Sequence, residues 1–177
     1  MKKIAIIGGP GAGKTTLSAG LFYELKIKRK NVELVPELIK FKVYKNEDFS
    51  KPGFDILNTL EQKNLEEGFS GHPLDFLLCE APLCNGYFYA SFYKKNLEVP
   101  VLKEIAKDAL NSYDLLLFVR REDEEYFSLG RKETLNQALA LESHILELLK
   151  EFNLKTPLHI VSAKTLLSDV VQIVLNT

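Results

Sequence analysis

The sequence predicts an α/β protein, a doubly wound three-layer sandwich in which a parallel sheet is covered by helices on both faces. Three observations lead there. Strand-length apolar runs alternate with helical patterns along the whole chain. The runs are apolar throughout rather than alternating, as strands buried on both faces require. The chain has 177 residues, 46% hydrophobic and 27% charged, enough for one domain over residues 1–177 with a sizeable core.

The elements follow in order. "KIAIIG" (3–8) reads as a buried strand, and 14–29 as a helix with Leu17, Leu21, Phe22 and Leu25 on one face. "VELV" (32–35) is a second strand, 55–68 a helix, and "LDFLLCE" (74–80) a third strand. Two helical pieces cover 86–94 and 100–111, with Pro100 suited to a first turn. "DLLLFV" (114–119) is the fourth strand, and a charged stretch over 120–132 leads into a helix from Lys132 to Phe152. There Leu135, Ala138, Leu139, Ile145, Leu146 and Leu149 keep helical spacing. "PLHIVSA" (157–163) is the fifth strand and 165–175 the last helix.

Composition excludes several classes. A net charge of -1 argues against a large nucleic-acid footprint, and Lys26, Lys28, Arg29 and Lys30 read as a solvated helix end. No apolar stretch is long enough to span a membrane, and residues 1–7 are strand-like rather than a signal peptide. Cys79 and Cys84 are the only cysteines and form no metal set, which points to a reducing cytoplasm.

In such sheets ligands bind beyond the carboxyl ends of the strands. After the first strand, Gly8-Gly9-Pro10-Gly11-Ala12-Gly13-Lys14-Thr15 fits G-x-x-x-x-G-K-[ST], with the strand before it and the helix after it that the motif needs. Glycines let successive backbone N–H groups converge on one anion, and the helix N-terminus adds positive potential. Lys14 is expected to reach the β- and γ-phosphates, the Thr15 hydroxyl to bind Mg²⁺, and Thr16 to lie near the α-phosphate. The loop lysine is expected to face solvent when no ligand is bound. Glu80, at the end of the third strand, is the expected second metal residue, whereas Asp75 and Asp114 precede their strands and read as surface groups.

A loop that holds a phosphate chain does not say what is done with it. Neither Asn-Lys-x-Asp nor Asp-x-x-Gly occurs, so a GTP switch is not supported, and a motor would need a further helical domain. A small transferase needs an acceptor pocket, a base, arginines and a lid. Glu37, held extended by Pro36 after the second strand, is the candidate general base. Arg120, Arg121 and Arg131 sit in the candidate lid "RREDEEYFSLGRKE" (120–133), whose acidic residues Glu122, Asp123, Glu124 and Glu125 can pair with them while it is open. "APLCNGYFYASFY" (81–93) brings Tyr87, Phe88, Tyr89, Phe92 and Tyr93 beside the site, some to pack the core and some to flank a planar ring. Gln62 is a candidate base-reading group.

Taken in order, "IAIIGGPGAGKTTLSAGLFYELK", "VELVPELIK", "LLCEAPL" and "LFVRREDEEYFSLGRKET" resemble the small P-loop ATP-binding proteins of bacteriophages and bacteria known as AAA-domain ATPases. These are similar to the ribosylnicotinamide-kinase domain of bacterial NAD regulators. The "VPE" also resembles deoxynucleoside kinases, whose matching glutamate is the base and whose third strand ends in Glu-Arg-Ser. Here it ends Glu80-Ala81-Pro82, without that arginine. The resemblance implies a P-loop kinase fold with strand order 2-3-1-4-5, ATP and Mg²⁺ as cofactors, and an adenine pocket lined by Ser162, Ala163 and Lys164 and by the lid. The implied partner is a small nucleoside- or nucleotide-like acceptor. An ATPase or ATP-binding regulator working with a protein partner, and a kinase acting on a base within DNA, are the alternatives.

Overall fold

The structure, a computed structural model, describes every residue except 123–125, 128, 163 and 164. Its elements are β1 (Lys2–Ile7), α1 (Lys14–Ile27), β2 (Val32–Val35), α2 (Leu38–Tyr44), α3 (Phe54–Glu67), β3 (Phe76–Cys79), α4 (Cys84–Phe92), α5 (Val99–Ser112), β4 (Leu115–Arg120), α6 (Leu135–Glu151), β5 (Leu158–Ser162) and α7 (Leu167–Leu175). The five strands form one parallel sheet in the order β2-β3-β1-β4-β5. Strand period divides the buried side chains between two faces. Ala5, Ile7, Leu77, Leu116 and Phe118 pack with Phe88 of α4, Leu102 of α5 and Leu141 of α6. Ile4, Ile6, Leu78, Leu117 and Val119 pack with Leu21 of α1 and Val170 of α7. Among the described residues no helix is long and apolar enough to cross a membrane.

The strand starts are tied together by two aspartates. Asp114 accepts from Lys3 N at 2.8 Å and from Lys2 Nζ at 3.0 Å, and Asp75 accepts from Asn31 N at 2.8 Å. The opposite, carboxyl ends are left to ligands. Cys79 and Cys84 are both fully buried, and burial pushes both thiols up from their ordinary value.

One element differs from the sequence reading and one has no counterpart in it. α6 begins at Leu135, not Lys132, because Thr134 caps it: the Gln137 N–H donates to Thr134 Oγ1 while Gln137 Oε1 accepts from Thr134 N at 2.9 Å. This capping box is written in "TLNQ". α2 is the larger departure. "LIKFKVY" alternates apolar and polar residues like a strand, yet it folds as a helix with no fully buried residue. Its neighbours decide this: α2 packs on α3, and Lys42 pairs with Glu61 there at 2.5 Å.

The helices α3 and α4 pack closely at Gly86, where a Cβ would lie 2.1 Å from Thr59 Oγ1. Gly86→Ala is therefore expected to destabilise the protein by about 1–3 kcal/mol. The loss is measured by denaturant unfolding, and an unchanged midpoint would refute it.

Candidate functional site

The glycine loop leaves β1 at Gly8, where a Cβ would sit 2.5 Å from the Val119 carbonyl oxygen, so a side chain has no room against β4. Gly13 caps α1 in the left-handed region (φ 96°), the conformation that turns the chain into the helix. Lys14 is only 7% exposed and its ammonium donates to the carbonyls of Gly8 and Gly9 at 3.0 Å each. The expectation of a solvent-facing lysine is thus corrected. The buried ammonium is satisfied by the loop's own carbonyls. Thr16 is exposed on the first turn of α1.

Two strand ends bring carboxylates to this loop. Glu80, 5% exposed, is held after β3 by its N–H to Val35 O at 3.1 Å, and its Oε1 accepts the hydroxyl of Thr15 in a short hydrogen bond. Glu37 follows β2 as the N-cap of α2 and is half-buried. Burial pushes its carboxyl up from 4.5, Glu80 adds to the push, and Lys14, Lys40 and Arg131 pull it down. Gln62 is 3% exposed and engaged at both ends of its amide, donating to Pro36 O at 3.1 Å and accepting from Leu38 N at 3.2 Å. Those atoms flank Glu37 on both sides. Gln62 clamps the turn that carries the carboxylate, so its amide is not available to read a base.

The arginines separate. Arg121 Nη2 donates to Pro10 O, and its backbone N–H donates to the Glu142 carboxylate at 3.3 Å. Arg131 donates from Nε to Phe127 O at 2.8 Å. Both guanidiniums lie against the Tyr126 ring, at 5.2 and 5.9 Å, and both approach Gly11 of the loop. Tyr126 is fixed in turn by its hydroxyl bond to Glu133 O at 2.6 Å. Arg120 ends β4 exposed, opposite Ser162 of β5, within electrostatic reach of Glu142. Ser162 N donates to Thr165 Oγ1 at 2.9 Å in a local turn. Ala163 and Lys164, and the lid residues Asp123, Glu124 and Glu125, lie outside the described residues.

A cavity of about 540 Å³ runs from Pro10, Lys14 and Thr15 of the loop, past Glu37 and Tyr89, to Asp55 and Lys95 between α3 and α4. Ile39, Val43 and Tyr44 of α2 form one wall and Leu129–Glu133 another. The aromatic segment divides: Phe88 (0%) and Tyr87 (5%) belong to the core and Phe92 packs on Tyr93 and His144, while Tyr89 and Tyr93 line the cavity.

The sequence reading missed Asp55, Asn58, Asn85 and Glu142. A signal existed for some of them. Asp55, Thr59, Gln62 and Glu66 repeat at helical spacing and all are buried, a polar stripe where a core helix has an apolar one. Glu142 stands in the buried stripe of α6 against Gly9, and burial pushes its carboxyl up.

With the loop, the strand-end carboxylates and the cavity in place, comparison adds the family. Residues 3–166 match the family described as AAA domain. The chain belongs to this family. No curated protein matches the AAA-domain chain described here. Among solved structures it is similar to a deoxyadenosine kinase from M. mycoides with products dCMP and a flexible dCDP bound, at 19% identity over 98% of this chain and 97% of that one, TM-score 0.66. The same kinase with bound dATP aligns at 18% identity over 98% and 97%, TM-score 0.60. The NadR protein in complex with NR aligns at 17% identity over 99% of this chain and half of that chain, TM-score 0.73. At these identities the likeness shows the fold, and the sheet order 2-3-1-4-5 expected of it is the order observed.

Proposed function

We propose that this AAA-domain chain, residues 1–177 acting as one unit, transfers the γ-phosphoryl group of ATP to a small nucleoside- or nucleotide-like acceptor. The observation that carries the reading is the cavity itself. Hydrolysis needs room for a water molecule, whereas about 540 Å³ continuous with the phosphate loop is the size of a small-molecule site. Two of the solved structures similar to it are of a deoxyadenosine kinase, which supports this reading.

Lys14 swings from the carbonyls of Gly8 and Gly9 to the β- and γ-phosphates, and the loop N–H groups hold their oxygens. Glu37 takes the proton of the acceptor hydroxyl as that oxygen bonds to the γ-phosphorus, while the bond from this phosphorus to the β–γ bridging oxygen breaks and ADP leaves. Arg121 and Arg131, already against Gly11, neutralise the migrating group, with Arg120 at the root of the same segment. Closure of residues 120–133 over the acceptor excludes water. The adenine lies beside Ser162, at the end of β5.

The residues present fit a magnesium ion. Thr15 and Glu80 offer a hydroxyl and a carboxylate already in contact, hard oxygen donors beside the loop. Among the described residues no group of three or more His, Cys, Asp or Glu gathers to hold a metal, and Mg²⁺ held by Thr15 and Glu80 would take its other ligands from oxygens outside the protein. When bound, Mg²⁺ neutralises charge on the phosphate oxygens.

An acceptor panel of nucleosides, deoxynucleosides, their monophosphates and nicotinamide riboside tests the proposal. The expected result is slow ADP release alone, accelerated by orders of magnitude with the right acceptor, with a phosphorylated product by mass spectrometry. Steady ADP release in plain buffer with no product from any acceptor overturns it in favour of an ATPase working with a protein or DNA partner.

Gln62→Leu is expected to lower kcat about tenfold with the KM for ATP unchanged, because the carboxylate loses its fixed direction. Loosening the turn admits water to Glu37, so the acid limb of the kcat profile moves down in pH. A profile identical to the wild type's would remove the clamp.

A further inference from the structure

The polar wall of the cavity contains groups paired within the protein and two that are not. Asp55 is held by Lys95 at 2.5 Å, the Thr59 hydroxyl donates to Asp55 O at 2.7 Å, and Gln62 is engaged at both ends. Tyr93 donates to Glu133 at 2.9 Å. Against these stand Asn58 of α3, one turn before Gln62, and Asn85 of α4. Both line the cavity, and both carboxamide oxygens are shut from water with no hydrogen-bond donor. The residues that follow them, Thr59 and Gly86, face each other where α3 packs on α4. Native interiors leave few buried acceptors unsatisfied, and each calls for a cause.

We infer that Asn58 and Asn85 form a subsite that reads the ring of the acceptor, selecting a neutral heterocycle that carries an –NH₂ group, as an exocyclic amine or a carboxamide. The inference rests on the cavity being an acceptor site. A turn of each amide about its last side-chain bond points its oxygen at the ligand. An –NH₂ group offers two N–H donors, one for each oxygen. A lactam offers one N–H; the second asparagine could meet its carbonyl only with the –NH₂ end, which leaves that residue's oxygen without a donor. A carboxylate offers acceptors only, and leaves both asparagine oxygens without a donor. Tyr89 and Tyr93 supply the apolar faces for the ring. Sites built to satisfy a ligand's hydrogen bonds reject analogues that leave their own polar groups unpaired.

Calorimetric titration with matched pairs tests this: cytidine against uridine, adenosine against inosine, nicotinamide riboside against nicotinic acid riboside. The –NH₂ member of at least one pair is expected to bind at least tenfold more tightly. Asn58→Leu and Asn85→Leu should each reduce that preference to within threefold while keeping the wild-type melting midpoint and ATP affinity. Asn58→Ser and Asn85→Ser replace them if the leucine lowers the midpoint. Equal affinities within every pair, a tighter-binding oxo or acid member, no binding of any of the six, or a preference that survives in both variants overturns the inference. Mass spectrometry of the same mixtures separates the two claims. A binding preference without phosphorylated product sinks the transfer reading and keeps the subsite; a product without preference does the reverse.

Discussion

Lys14→Ala is expected to weaken ATP binding about 10–100-fold and to abolish measurable turnover. Each charge-assisted hydrogen bond to a phosphate contributes about 1.5–3 kcal/mol, and the alanine side chain can make none. Turnover suffers more than binding because the ammonium also offsets charge that moves onto the leaving oxygen, a contribution of about 10²–10³ in rate. Stability enters as well. Lys14 is buried and bonded to Gly8 O and Gly9 O, so its loss should also lower the melting midpoint slightly, at about 1 kcal/mol per bond. Calorimetry with Mg·ATP and a thermal melt read the two effects separately. Wild-type ATP affinity in a folded Lys14→Ala variant would refute the phosphate role of the loop.

Glu37→Gln should lower kcat by about 10²–10⁴ with ATP affinity unchanged, since it keeps the shape and hydrogen bonding of the side chain and removes the base. The pH dependence follows from the raised carboxyl. A base works only when deprotonated, so wild-type kcat should fall on the acid side around a pH above the ordinary 4.5 of glutamate, and the variant should lack that limb. Stability moves in the opposite sense. A carboxyl raised in the folded state stabilises the fold in its protonated form, and that contribution is lost as pH rises through the raised value. The melting midpoint of Glu37→Gln should therefore gain on the wild type between pH 5 and pH 8. A variant with wild-type kcat ends the general-base assignment. A midpoint difference that shrinks as pH rises ends the claim of a raised carboxyl.

Both effects depend on a site in which one side chain does several things. Lys14 closes the loop on itself and lowers the Glu37 carboxyl toward its ionised form. Glu80 pairs with Thr15 and pushes the same carboxyl up. A ligand that draws Lys14 to its phosphates, or a cation at Glu80, alters both influences on Glu37, so the state of the base is coupled to the presence of the donor.

The sequence alone determined the sheet, its helical cover and the phosphate loop, because each rests on local signals. Buried parallel strands must be apolar throughout, and a loop that points consecutive N–H groups at one anion must be rich in glycine. Even the start of α6 at Thr134 was written locally, in a capping box. Tertiary structure decided α2, whose alternating residues adopt a helix through contacts with α3 rather than through a pattern of their own. It decided Gln62 too: nothing in "LEQKNLEEG" says that its amide meets two backbone atoms of the turn around Glu37. The same holds for the division of the arginines and for the partnerless carboxamide oxygens of Asn58 and Asn85. A polar side chain takes its role from the partner it meets, and that partner lies far along the chain, where spacing carries no information about distance.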